Sequence, residues 1–148
     1  MINSPPANTL PKINDRIKIL SWNIHDIKSK TEGLKTENLE FKNMISNHLV
    51  FALQETKRKV NVPDYMCFNK LRKGSRSGGL CIGIHKSLAN RVKEVKVCSQ
   101  DIQAVSITTA SDCSEEMLTI VNVYDSPEDS SYKKKYKNKS KLNYRRTY

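Results

Sequence analysis

Asn23 and Glu55 are polar residues at the ends of two apolar, strand-like segments, "ILSW" and "FALQ". The residues between these segments predict an amphipathic helix, which makes a βαβ unit with parallel strands. Because the carboxyl ends of parallel strands lie at one edge of a sheet, we expect Asn23 and Glu55 to be neighbours. An amide oxygen and a carboxylate are hard donors, so the pair predicts a site for Mg²⁺ (or Mn²⁺). The alternative interpretation is that both side chains only cap strand ends.

Tyr124 lies at the end of the last apolar segment, "TIVNVY". A tyrosine at a strand end is commonly a half-buried packing residue, but its phenol can also donate a hydrogen bond to a phosphate oxygen. Tyr124 is therefore a third candidate site residue. His25 and His85 have no acidic or cysteine partner at metal-binding spacing, so we interpret both as structural.

The segment "LRKGSRSGG", residues 71–79, combines glycines with Arg72, Lys73 and Arg76. Its glycines do not have the spacing of a P-loop or of a dinucleotide-binding fingerprint. We interpret the segment as a loop before a strand, with the three cations placed near the phosphate groups of a nucleic acid.

Six segments have the apolar pattern of strands, and one has helical periodicity. The strands are expected at 17–24, 49–55, 64–70, 80–86, 101–109 and 116–125, and the helix at 36–47. This order predicts an α/β (α+β) fold with one mixed sheet of about six strands and one main helix. The first strand should lie inside the sheet, and the third and fourth should pair as a hairpin. Because one helix covers only one face, we expect an uncovered second face, as in half of a layered structure.

The net charge of +11 is concentrated in one part of the chain. Residues 130–148 contain eight basic residues and no acidic one, whereas the remainder has 18 basic and 15 acidic residues. Such a block of like charge is typical of a solvated tail, and less often of a contact with phosphate backbone. We expect a flexible leader at 1–15, a partial domain at 16–128 and a basic, disordered tail at 129–148.

The four cysteines include no C-x-x-C pair. Their wide spacing indicates reduced thiols and argues against a zinc or disulfide framework. No apolar stretch reaches the length of a signal-peptide core or a membrane span. We therefore expect an intracellular protein that is neither secreted nor partnered with a membrane. These features do not separate a nuclear from a cytoplasmic location, and a nuclear one is the preferred expectation.

Four segments in order resemble the first half of the endonuclease/exonuclease/phosphatase (AP-endonuclease-like) family: "IKILSWNIHDI", "HLVFALQETK", "GGLCIGIHKSL" and "LTIVNVYDSP". They are most similar to the endonuclease domain of non-LTR (LINE-type) retrotransposons, which nicks target DNA ahead of reverse transcription. The similarity extends over about residues 17–127, and four segments in this order are more specific than any one alone.

The resemblance implies half of a four-layer α/β sandwich, in which two mixed sheets pack face to face with helices outside. It also implies Mg²⁺-dependent hydrolysis of a phosphodiester in DNA. On the matching positions, Asn23 and Glu55 would be metal ligands, and Tyr124 would be a catalytic residue that approaches the scissile phosphate.

The sequence departs from the family pattern after Tyr124, where "DSPE" replaces a segment that contains an asparagine in many relatives. The later Gly-Asp-x-Asn and Ser-Asp-His segments do not occur in the 148 residues. We therefore expect an amino-terminal fragment of such a domain, inactive as a nuclease without its carboxy-terminal half.

Two other functions stay open at this point. A small basic protein could hold nucleic acid without catalysis, through the loop cations and a tail whose tyrosines stack on bases. Alternatively, the same fold could act as a phosphatase or phosphodiesterase on a lipid or inositol phosphate.

Overall fold

The computed structural model describes residues 17–74, 77–110 and 114–125. Within these ranges the chain forms nine β-strands, one α-helix and two 3₁₀ helices. The strands are β1 (Ile19–Asn23), β2 (Lys28–Ser29), β3 (Gly33–Leu34), β4 (Val50–Gln54), β5 (Tyr65–Lys70), β6 (Leu80–His85), β7 (Val92–Val95), β8 (Ile102–Ala110) and β9 (Glu115–Val123). The helix is α1 (Leu39–Ser46), and the 3₁₀ helices are Lys35–Glu37 and Lys86–Arg91. The predicted fold class, mixed α/β with one main helix, is confirmed.

Sheet I is a mixed sheet of four strands in the order β1-β4-β6-β5. β1 runs parallel to β4, with Asn23 opposite Gln54, so the predicted βαβ unit is confirmed. β6 runs antiparallel to β4 and β5, and the predicted hairpin is confirmed. The expected interior position of β1 is wrong, because β1 is an edge strand of sheet I and Ile19 is 45% exposed. A short strand can therefore have apolar side chains on both faces and still pair with another strand along one edge only.

Sheet II is an antiparallel sheet in the order β7-β8-β9, and it packs on one face of sheet I. Their shared core is made of aliphatic residues from both sheets and from the second 3₁₀ helix: Val50, Ala52, Ile82, Ile84, Leu88, Val105, Ile107 and Ile120. The expected single sheet of about six strands is therefore corrected to two sheets that face each other. An alternating or continuous apolar pattern shows that a strand is buried, but it does not show which element buries it.

The outer face of sheet II is the apolar sheet surface that stays exposed in the described part of the chain. Met117, Val121 and Val123 are 65%, 56% and 57% exposed, respectively. We expected an uncovered apolar face on the sheet that carries β4. In the structure, sheet II covers that face, and the exposed apolar side chains lie on the outer face of sheet II.

The other face of sheet I is covered by α1, whose buried residues are Phe41 and Ile45. Trp22 of β1 stacks on Phe41 with ring centroids 5.6 Å apart. The side chain of Asn38 accepts hydrogen bonds from two backbone N–H groups of the first turn. This cap defines the start of the helix at residue 39, where the sequence predicted residue 36.

Gly83 of β6 lies opposite Phe51 of β4. A Cβ atom at residue 83 would lie 2.0 Å from Phe51 Cζ. The aromatic ring therefore occupies the space above the β6 backbone that any other side chain would need. This contact gives the central strand pair of sheet I a specific register.

Within the described ranges, no helix is both long and apolar enough to cross a membrane. The predicted leader at 1–15 and tail at 129–148 lie outside the described residues, as do Arg76 and Cys113. The domain limits therefore stay predictions.

Candidate active site at the end of the parallel strands

Glu55 directly follows β4, and it is only 9% exposed. Its carboxylate accepts a hydrogen bond from the Tyr124 hydroxyl at 2.8 Å and forms a second one with His25 Nδ1 at 2.6 Å. The side chain of Asn23 also stabilises the charged form of this carboxylate, and its Oδ1 accepts a hydrogen bond from the backbone N–H of His25 at 3.2 Å. One acidic group is thus shared by an amide, an imidazole and a phenol.

The topology explains how these residues meet. Asn23 and Glu55 come to the same edge because β1 and β4 are parallel and end in register. Tyr124 arrives from the end of β9, because sheet II packs on sheet I. The structure brings Asn23, Glu55 and Tyr124 together, and their roles as metal ligands and catalytic residue stay predictions.

The pKa of Glu55 lies below its ordinary value of 4.5. Burial alone would raise this pKa, because a carboxylate is poorly solvated in the protein interior. Hydrogen bonds to Tyr124, His25 and Asn23 stabilise the charged form and outweigh the effect of burial. Glu55 is therefore ionised at neutral pH, as a metal ligand must be.

The backbone beside the site adopts conformations that non-glycine residues rarely take. The φ angles are 64° at His25, 125° at Asp26, 56° at Glu55 and 57° at Lys57. These residues lie where the chain leaves β1 and β4, and they turn the flanking side chains toward one another. Such strain persists where the surrounding structure holds it, and it is enriched at functional sites.

Gly78 and Gly79 hold the strained segment after Glu55. The backbone N–H of Thr56 donates to Gly79 O at 3.2 Å, and that of Lys57 donates to Gly78 O at 2.8 Å. A Cβ atom at Gly79 would lie 2.6 Å from Thr56 Oγ1, so the two chains meet with no room for a side chain. The predicted phosphate-facing loop is thus also a structural support for Glu55.

A pair of amides, the buried Asn122 and the half-buried Gln54, links the two sheets beside the site. Asn122 is 2% exposed, and its Nδ2 donates to Leu53 O at 3.0 Å. Its Oδ1 accepts from Gln54 Nε2 at 2.7 Å. Because Tyr124 lies two residues further along the chain, this link sets the position of its backbone relative to Glu55.

The three predicted nucleic-acid contacts have different environments. Arg72 is paired with Asp101, with 2.6 Å between Nη2 and Oδ1, and its side chain is only 14% exposed. Lys73 is exposed, and Arg76 lies outside the described residues. The predicted role of these cations in binding nucleic acid stays a prediction, but Arg72 already has partners within the protein.

Two features of the site were missed from the sequence. His25 was interpreted as structural, since its acidic partner lies 30 residues away; its position two residues after Asn23 was the available signal. Lys57, Arg58 and Lys59 begin two residues after Glu55, beyond the buried Thr56, and all three are exposed. Three consecutive cations beside a predicted site residue were a signal for an anionic ligand.

The chemistry of the donors fits the predicted cation. Asn23 and Glu55 offer one amide oxygen and one ionised carboxylate, which suits Mg²⁺ because this ion usually keeps several waters. In the parts of the chain that the structure describes, no group of three or more His, Cys, Asp or Glu residues is arranged to hold a metal ion. A bound ion would therefore take most of its ligands from water and substrate.

Comparison with known proteins gave similar solved structures, while no protein-family model and no curated protein matches the chain. The endonuclease domain of TRAS1, a telomere-specific non-LTR retrotransposon, is 17% identical, with a TM-score of 0.47, over 83% of this chain and 54% of that chain. TDP2 from D. rerio, complexed with a single-strand DNA product, is 15% identical, with a TM-score of 0.37, over 81% and 51%. The chain thus spans about half the length of each. The first is an endonuclease domain of a non-LTR retrotransposon, the kind of protein that the four sequence segments resemble.

Proposed function

We propose that this chain carries the metal- and phosphate-binding part of a site that hydrolyses phosphodiester bonds in DNA. The supporting observation is the single ionised carboxylate of Glu55, which three polar side chains share at the carboxyl end of two parallel strands. Open α/β sheets bind their ligands at this end of the strands.

Asn23 and Glu55 are the residues that would hold Mg²⁺ or Mn²⁺. When bound, such an ion polarises a phosphoryl oxygen and lowers the pKa of its water. The Tyr124 hydroxyl donates a hydrogen bond to one oxygen of Glu55. By the family resemblance, the same phenol would approach the scissile phosphate. His25, with a side chain 87% exposed, lies on the solvent side of the carboxylate, where substrate would enter.

The surrounding charge favours a nucleic acid as substrate. Lys57, Arg58 and Lys59 are exposed and begin two residues after Glu55, which places positive charge near the site in the chain. Arg58 Nε also lies 3.6 Å from Asp26 Oδ1, so part of this charge is balanced within the protein. Lysine and arginine side chains position nucleic acids through their phosphate groups. A run of cations fits a polyanion better than the single headgroup of a lipid or inositol phosphate. A DNA substrate also favours nuclear over cytoplasmic localisation.

We expect the 148 residues alone to have little nuclease activity. The resemblance implies further catalytic groups in Gly-Asp-x-Asn and Ser-Asp-His segments, and this sequence contains neither. Loss of members of a cooperating catalytic set typically lowers the rate by several orders of magnitude. The endonuclease domain of a non-LTR retrotransposon is the proposed origin of these residues, on the resemblance of their four segments.

Metal binding is the direct test, because it does not require turnover. Mn²⁺ titration of the whole chain, followed by electron paramagnetic resonance, should show one site that Glu55→Gln weakens by roughly 10-fold or more. Glu94→Gln is the matched control, since Glu94 is an exposed glutamate on β7. Equal Mn²⁺ affinity in the wild type and in Glu55→Gln would contradict the proposal.

DNA binding separates the proposed function from a non-catalytic role. A phosphodiester site should bind DNA more tightly with Mn²⁺ than without it, and Glu55→Gln should remove the difference. DNA affinity that falls with salt but is indifferent to Mn²⁺ and to Glu55→Gln would favour a non-catalytic binding protein. Nicking of supercoiled plasmid, with Glu55→Gln as the blank, then measures any residual activity.

A further inference from the structure

Arg72 lies between an acidic partner and an aromatic one. Its Nε and Nη2 atoms lie 2.7 Å and 2.6 Å from Asp101 Oδ1. Its guanidinium carbon lies 5.6 Å from the centroid of the Tyr124 ring, within the range of a cation–π contact. The Arg72 side chain is 14% exposed and that of Asp101 is 36% exposed, so the pair is partly shielded from water, which strengthens charge-assisted hydrogen bonds.

Asp101 also holds Tyr124 through the backbone. The Tyr124 N–H donates to the carbonyl oxygen of Asp101 at 2.9 Å. Asp101 therefore contacts the main chain of Tyr124 directly and reaches its ring through Arg72. From the other end of the ring, the hydroxyl donates to Glu55 Oε1 at 2.8 Å. These contacts form a continuous path from Asp101 to Glu55.

Gly78 limits the position of Arg72 from another side. A Cβ atom at residue 78 would lie 2.8 Å from Arg72 Cδ, so the arginine stem packs directly on the glycine backbone. The carbonyl of Gly78 accepts from the backbone N–H of Lys57 at 2.8 Å, two residues after Glu55. The same glycine therefore supports both Arg72 and the segment that carries Glu55.

We propose that Arg72 and Asp101 are positioning residues, which fix the ring of Tyr124 and thereby hold its hydroxyl on Glu55. This inference rests on the proposed function, in which Glu55 is a metal ligand. Arg72 acts in it through Tyr124 and not as a free phosphate contact. Without the ion pair, the ring of Tyr124 gains freedom, and Glu55 loses a donor that orients its carboxylate.

The orientation of Tyr124 can be followed directly by NMR on the whole chain, labelled with ¹³C at the tyrosine Cζ position. Tyr124→Phe assigns the signal. We expect Arg72→Gln and Asp101→Asn each to shift and broaden the Tyr124 signal, and the double variant to change it no further. Lys73→Gln is the matched control, because it removes an exposed cation from the same loop and should leave the signal unchanged.

Tyr65 distinguishes positioning from a general loss of packing. Its hydroxyl donates to Ile45 O at 2.8 Å in the core below α1, and it takes no part in the path from Asp101 to Glu55. Its signal should be unchanged in Arg72→Gln and in Asp101→Asn. If the Tyr124 signal does not respond to either variant, or if Tyr65 responds as strongly, positioning is refuted. Should Arg72→Gln fail to fold, Asp101→Asn alone decides by the same criterion.

Mn²⁺ affinity separates this inference from the function on which it rests. Arg72→Gln should weaken Mn²⁺ binding by roughly 10-fold, as is typical when a residue that orients a ligand is removed. Arg72→Lys keeps the charge but not the planar fork, so it should restore the affinity only in part. If the wild type binds no Mn²⁺ while the Tyr124 signal responds as expected, the positioning role stands and the proposed function fails.

Discussion

The core between the two sheets and the sheet edge that carries Glu55 are neighbours, but they contain different kinds of side chains. The core consists of aliphatic side chains such as Ile82 and Ile107, which are fully buried in regular strands. The edge consists of shared polar groups, and it contains four of the five non-glycine residues with positive φ in the described ranges. Along β4, apolar packing therefore dominates before Gln54, and hydrogen bonding dominates at Glu55, directly after it.

This difference separates stability from function. Burial of the core provides the free energy that holds β4 and β9 together. The same free energy offsets the cost of the strained backbone after β4. The edge adds little apolar burial, but it presents an ionised carboxylate in a defined orientation. Changes in the core should thus act on unfolding, whereas changes at the edge should act on ligand binding.

The largest effect on stability is expected from Ile82→Ala. Ile82 is fully buried between the sheets, so the substitution should lower the free energy of unfolding by about 2–5 kcal/mol. Ile19→Ala is the matched control, because Ile19 is 45% exposed on an edge strand, and this substitution should cost no more than about 1 kcal/mol. Urea denaturation measures both values, and equal costs would contradict the packing of sheet II on sheet I.

A smaller loss is expected from Gly83→Ala. The added methyl group would overlap the Phe51 ring, and overpacking of this kind costs about 1–3 kcal/mol. The double variant with Phe51→Leu should lose less than the sum of the two single losses, because the smaller side chain makes room. Strict additivity in the urea denaturation of the four proteins would show that the contact is not made.

Asn38→Ala should cost about 1 kcal/mol, since it removes the side-chain cap of α1. Mn²⁺ affinity should not change, because the Asn38 side chain accepts from the backbone of Glu40 and Phe41 in the helix and not from a site residue. Asn43→Ala, an exposed asparagine within the same helix, should leave the stability almost unchanged. A matching loss in both variants would argue against the cap.

Glu55→Gln should have the smallest effect on unfolding and the largest on metal binding. The pKa of Glu55 in the folded state lies below 4.5, so its carboxylate adds stability that is present above this value. That contribution disappears as the pH falls through the lower, folded-state pKa. The difference in unfolding free energy between wild type and Glu55→Gln should therefore be constant near neutral pH and shrink below about pH 4.5. A difference that grows in acid would reverse the inferred sign.

Much of sheet I could be predicted, because its strands and helix are recognised from residue patterns within short segments of the sequence. The apolar runs that end at Asn23 and Gln54, with helical periodicity between them, determine a parallel βαβ unit. That unit alone makes Asn23 and Glu55 neighbours. The boundary errors were small, and the late start of α1 follows from the capping preference of Asn38.

The remainder depends on contacts between residues far apart in the chain. A strand's apolar pattern records that its faces are buried, but a helix, a second sheet or another chain produces the same pattern. The sequence therefore determined six of the nine described strands, the βαβ unit and the meeting of Asn23 with Glu55, but not β2, β3 or β7. Only the tertiary structure decided that the later strands form sheet II, that His25 joins Glu55, and that Arg72 pairs with Asp101. Packing and ion pairing act through space, and spacing along the chain does not encode them.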